Sequence, residues 1–153
     1  MIEKIKSFYE NGTDKIRADL FNEYAERVAK TLAEVKPYQG RDGKQNEKRN
    51  GISSTQIRRL FDEVKRYERL IGDDEASWLE QYPYIKMIKS RTHYTIARCK
   101  KNDKNNAKYY DNLSEFISDG IELITSKRDY HVFVSLFEAV YGFYYENRPD
   151  IKN

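Results

Sequence analysis

Apolar residues recur every three or four positions through most of this chain, and that spacing constrains the fold more than any other feature of the sequence. Ile57, Leu60, Phe61, Val64 and Ile71 fall on one face of a helix, and Ile85, Ile88, Thr92, Ile96 and Cys99 repeat the pattern. It returns in Tyr110, Leu113, Phe116, Ile117, Ile121 and Ile124, and again in Phe133, Leu136, Phe137, Val140, Tyr141 and Tyr144. The stretch "HVFVSLF" is rich enough in β-branched residues to pass for a strand, but the longer apolar spacing around it favours helix. The expectation is an all-α fold: a compact bundle of about five main helices in a single domain over 1–153.

Helix ends are marked by local chemistry. A first helix carries Ile16, Leu20, Phe21, Tyr24, Val28, Leu32 and Val35 and is stopped by Pro37, with a short extra turn before it near Ile2 to Tyr9. The stretch "YQGRDGKQNEKRNG" has no apolar period, so 37–52 reads as a mobile, basic loop. Ser53 then caps the next helix, with Gln56 completing a capping box. Gly72 stops that helix and Asp73 to Glu75 start another. Pro83 suits the first turn of a long helix running to about Lys101. Two more helices follow, Tyr109 to Ser126 and about Asp129 to Glu146.

Composition removes several classes of function. No apolar run approaches the length of a membrane span. The start, "MIEKIKSFYENG", lacks a signal-peptide core. A single cysteine, Cys99, forms no internal disulfide and fits a reducing cytoplasm. With His93 and His131 it is too little for a zinc site of ordinary ligands, and no metal or cofactor is expected. His93 at the edge of a core face, His131 near Asp129, Glu138 among aromatics and the consecutive acids Asp73 to Glu75 assemble no acid–base pair. There is no phosphate-binding glycine loop and no nucleophile motif. The chain is not expected to be an enzyme.

Net charge is only +3, yet the charge is unevenly placed. From Lys86 to Lys108 the only acid is Asp103. In "SSTQIRRLFDEVKRYERL", Arg58, Lys65 and Arg69 lie opposite the apolar face, flanked by Arg59 and Arg66. Local pairs of Asp62 with Arg58 and Arg66, and of Glu63 with Arg59, still leave a positive excess. In the helix after Pro83, Met87, Arg91, Tyr94, Arg98 and Lys101 interleave aromatic and basic groups on the side away from the core. Such a surface suits stacking on bases and neutralising phosphates. The alternative is that Met87 and Tyr94 pack on a neighbouring helix while Arg98 pairs with a carboxylate.

Three segments carry a family likeness. "STQIRRLFDEVKR", "MIKSRTHYTIARCKK" and "FVSLFEAVYGFYYE" resemble successive motifs of the small helical subunit of type III-A CRISPR effector complexes, the Csm small-subunit family. The matching residues are Gln56 and Arg58, then Lys89, Tyr94 and Arg98, then Phe137, Glu138, Ala139 and Tyr141. The likeness spans Ser53 to Glu146; before it, only a helix and a basic loop correspond.

The resemblance implies a non-catalytic subunit of an antiviral interference complex. Its partners would be guide and target single-stranded RNA, the backbone and large subunits, and copies of itself meeting end to end. Apart from the resemblance, a homodimer is expected in isolation, formed either by swapping a first helix tethered on a long flexible loop or by joining exposed apolar surfaces. Contact would be to phosphates and independent of base sequence, because pairing with the guide supplies specificity. Arg58, Arg59, Lys65, Arg66 and Arg69 head the RNA-binding candidates, followed by Arg91, Lys100 and Lys101, with Arg98 as a motif residue. Lys48 and Arg49 would lie on the loop as a flap over the strand. A second reading is a helical protein–protein adaptor that touches no nucleic acid, its basic stripe docked on an acidic partner.

Overall fold

The computed structural model describes residues 3–150. Five α-helices carry the fold: α1 (Ala25–Lys30), α2 (Ser54–Ile71), α3 (Glu75–Asn102), α4 (Ala107–Glu122) and α5 (Lys127–Tyr145). The expected bundle of about five helices in a single compact domain is what the chain forms, mostly helical with one small two-stranded sheet. α5 packs against both α1 and α2, and α3 lies between α2 and α4. Rings of Phe61, Phe116, Phe133 and Phe137 from α2, α4 and α5 meet at the centre, with centroids 5.3–6.2 Å apart. Offset and edge-on aromatic contacts of this kind add to area burial.

Local signals place the middle helices. The Ser53 side chain accepts from the Gln56 backbone N–H, and Gly72 ends α2 with φ 52°, a left-handed geometry that a glycine enters without a Cβ clash. Asp74 caps α3 by accepting from the Ser77 N–H, and Ser126 caps α5 by accepting from the Asp129 N–H. At Gly120 in α4, an added Cβ would lie 2.4 Å from the Phe133 ring, so the helices approach through that missing side chain. Tyr130 lies buried and donates its hydroxyl to the Val64 carbonyl at 2.6 Å, joining α5 to α2.

Four sequence expectations are corrected. The first helix is much shorter than its apolar spacing suggests: a π-helical turn, Leu20–Tyr24, leads into the six residues of α1. Its expected last turn is instead a strand, β1 (Ala33–Gln39), paired antiparallel with β2 (Gln45–Gly51). The segment 37–52 is therefore the tip and return of a hairpin rather than a loop; its strands are polar on both faces, which erases the alternation that marks a strand. Pro83 lies inside α3, not in its first turn, because the Asp74 cap and the buried Trp78 begin the helix two turns earlier. Pro83 is exposed, where water can serve the carbonyl left without its N–H.

The extra turn near Ile2 to Tyr9 is not helical over the described residues 3–9. Ile5 and Phe8 are buried there, and Tyr9 forms an isolated bridge with Ile16. No helix among the described residues is long and apolar enough to cross a membrane.

Candidate nucleic-acid interface

α2 and α3 run antiparallel, so the start of α2 meets the end of α3. Arg91 fixes their middle: its Nη1 donates to Glu63 Oε1 at 2.9 Å and to the Tyr67 hydroxyl oxygen at 2.8 Å. The Glu63 carboxylate beside it holds the guanidinium even more firmly protonated than usual. Glu63 thus serves Arg91 rather than Arg59, and that frees Arg59. Asp62 lies 3.9 Å from Arg58, as the i, i+4 spacing suggests, while Arg66 sits over the Tyr67 ring at 4.7 Å instead of pairing with Asp62.

Toward the α2 N-terminus a cleft of about 320 Å³ opens between α2, α3 and α4. Gln56, Arg59, Arg98, Asn102 and Tyr110 line it, and Cys99 lies in its wall. The two motif residues Gln56 and Arg98, 42 positions apart in the chain (98 − 56), therefore face one space with Arg59. Burial pushes the Cys99 thiol up, so it stays protonated and behaves as a small apolar group. Just outside the cleft, Arg98 lies over the Tyr94 ring at 5.7 Å, and Tyr94 is 66% exposed. Tyr84 and Met87 continue the exposed stripe along α3. The Tyr94–Arg98 face is turned to solvent and not packed on a neighbouring helix.

The sequence candidates divide by what already holds their charge. Lys65 donates to Glu68 at 3.1 Å, and Lys100 bridges to Asp111 of α4 at 2.7 Å. Arg49 donates to the carbonyls of Glu146 and Arg148 at 3.1 and 3.3 Å, capping the end of α5, and also pairs with Glu47. With Arg91, these already have a carboxylate or carbonyl partner within the chain. Among the described residues Arg58 has only its long, exposed contact to Asp62. Arg59, Arg66, Arg69, Arg98, Lys101 and Lys48 are exposed and enter no ion pair among the described residues.

Tyr67 lies outside the apolar set read for α2, and Tyr110 is read from its spacing in α4 as core alone; nothing in the spacing marks the polar edge of either ring. His131 contacts Glu68 Oε2 at 3.1 Å and the Gly72 carbonyl at 3.2 Å, tying α5 to the end of α2. Its other candidate partner, Asp129, is taken by Tyr9 and Thr125. Among the described residues the His93 ring hydrogen-bonds only with the Ser118 hydroxyl, at 3.2 Å, and Glu138 is exposed. No group of three or more potential metal ligands gathers among the described residues.

The chain matches the family model described as Csm2 Type III-A over residues 29–147. No curated protein and no solved structure matches it.

Proposed function

The chain belongs to the Csm2 type III-A family and so is a small subunit of a type III-A CRISPR Csm complex; from that premise we propose that it is a non-catalytic RNA-holding subunit. In this reading it lines the RNA channel and grips guide or target single-stranded RNA through phosphates, without reading bases. The observation that carries it is the convergence of Arg59 and Arg98 on one cleft, with the exposed Tyr94 ring beside it and both guanidinium groups outside the ion pairs of the described residues. Exposed cations outside ion pairs, beside an aromatic face, suit a flexible polyanion. Arg58, Arg66, Arg69 and Lys101 extend the positive surface along α2 and at the end of α3. Arg91, Lys100 and Arg49 support it by joining the elements around it, and Lys65 pairs with Glu68 along α2.

A further part of the proposal concerns protein contacts. Leu79, Tyr84 and Met87 are exposed on the first half of α3, and they suit docking on neighbouring subunits or on another copy of the chain. Docking there leaves the cleft at the other end of α3 open to RNA.

The test is fluorescence anisotropy of the intact chain with two unstructured single-stranded RNAs of unrelated sequence. The expected result is equal affinity for both, falling as salt rises. A strong preference for one sequence would contradict phosphate holding. Failure to bind either RNA would favour the adaptor reading.

A further inference from the structure

Beyond its base the β1–β2 hairpin has no core. Ala33 and Gly51 are buried and Val35, Arg49 and Asn50 half-buried, while Lys36 to Gln39 and Arg41 to Lys48 are exposed. A two-stranded ribbon without a packed face is marginal in water, so packing within the free chain accounts for little of this arm. Successive side chains point to opposite faces. One face carries Pro37, Gln39, Gln45 and Glu47, with Arg49 at its root. The other carries Lys36, Tyr38, Asn46 and Lys48.

The register sets Lys36 directly opposite Lys48 and Tyr38 opposite Asn46. Like charges across a strand pair repel, so the lysine pair contributes nothing to holding the hairpin closed. Lys36 reaches Glu34 at the root at 3.5 Å, while Lys48 enters no ion pair among the described residues. At the tip, Asp42 is occupied with the Lys44 backbone N–H at 3.0 Å, leaving the exposed Arg41 and Lys44 to extend the positive charge. Tyr38, 51% exposed, stands on the same face as the lysines.

The geometry points to this face of the arm as a second contact for single-stranded RNA, separate from the helical cleft: Lys36 and Lys48 hold phosphates and Tyr38 stacks on a base. This rests on the RNA reading above and adds a place and a mode of contact to it. Strand addition by another copy is disfavoured, since Pro37 lacks an N–H and lysines on an open edge oppose pairing. An acidic protein surface would use the lysines but leave the tyrosine face without a partner. β2 leads through Ile52 into Ser53, which also lines the cleft, so one RNA strand can pass from the arm onto the helices.

The experiment is ultraviolet cross-linking of the intact chain to a 4-thiouridine-bearing unstructured RNA, with cross-linked peptides mapped by mass spectrometry. Anisotropy of the arm variants runs in parallel. Cross-links are expected in the peptide carrying Tyr38 as well as in α2 or α3. Tyr38→Ala should weaken binding at least about fivefold, and Tyr38→Phe, which keeps the ring, should restore it. Lys36→Ala with Lys48→Ala should make the log–log salt slope shallower by about 1.4. The thermal midpoint of each variant should match that of the unaltered chain. Cross-links on the helices alone, with unchanged affinity in the arm variants, overturn this inference and leave the proposed function standing. Absence of cross-links anywhere overturns both.

Discussion

α3 and α5 are the two longest helices, with 28 and 19 residues, and they divide their surfaces in opposite ways. α5 is enclosed by α1, α2 and the rings of α4, and it buries Tyr130, Val132, Phe133, Val134, Leu136, Phe137, Val140 and Tyr144. α3 is longer but has only one apolar stripe, with Trp78, Ile85, Ile88, Thr92 and Ile96 buried. On its outward face Tyr84, Met87, Tyr94, Arg98 and Lys101 are exposed, while Lys86, Lys89, Arg91 and Lys100 tie the helix to α2 and α4. Of the two, α5 carries more of the buried apolar surface and α3 more of the exposed basic and aromatic residues, so on the proposed function substitutions in them should separate stability from RNA binding.

The largest effect belongs to α5. Phe137 is wholly buried among Phe61, Phe116 and Phe133, and Phe137→Ala is expected to lower unfolding free energy by about 3–5 kcal/mol in urea denaturation. A loss below about 1 kcal/mol would mean that the aromatic centre is not the main core. Gly120→Ala comes next. It forces a Cβ against Phe133 and should cost about 1–3 kcal/mol through overpacking.

Arg91→Ala tests the boundary between the two uses of α3. Its guanidinium is partly solvated, at 40% exposure of the side chain, so losing the Glu63 and Tyr67 contacts should cost only about 1 kcal/mol. Because Arg91 also aligns α2 with α3, RNA affinity should fall with it. Tyr94→Ala has the smallest structural effect: within about 0.5 kcal/mol of the unaltered stability, as for other exposed positions. Its RNA affinity should nevertheless drop. A stability loss at Tyr94 comparable to that at Phe137 would dissolve the distinction between the helices.

Much of this arrangement was legible because helical burial leaves a regular trace. The periods in α2 to α5 gave the right faces, and Ser53, Gly72 and Asp73 to Glu75 marked real helix boundaries. The hairpin left no such trace. Its strands lie in water on both faces, so no apolar alternation was required of them, and Val35 happened to continue the helical period of Leu32 and Val28. Pro37 suggests a helix end in the sequence, whereas it occupies a strand of a sheet whose edges are open. In the candidate interface, the outward faces of α2 and α3 were readable from the helical wheel. Their assignments were not: which arginine Glu63 would choose depends on how α2 and α3 align, and only packing sets that. The motif pair Gln56 and Arg98 belongs to the same class, since their meeting follows from the antiparallel hairpin of α2 and α3.

The most direct measurement combines Arg59→Ala and Arg98→Ala in one chain and follows thermal stability and RNA binding across a salt series. If the cleft holds phosphates, the melting temperature is unchanged and the log–log salt slope becomes shallower by about 1.4 relative to the unaltered chain. If the slope is unchanged while the unaltered chain binds RNA, the strand is held elsewhere and the account of the α2–α3 face is wrong.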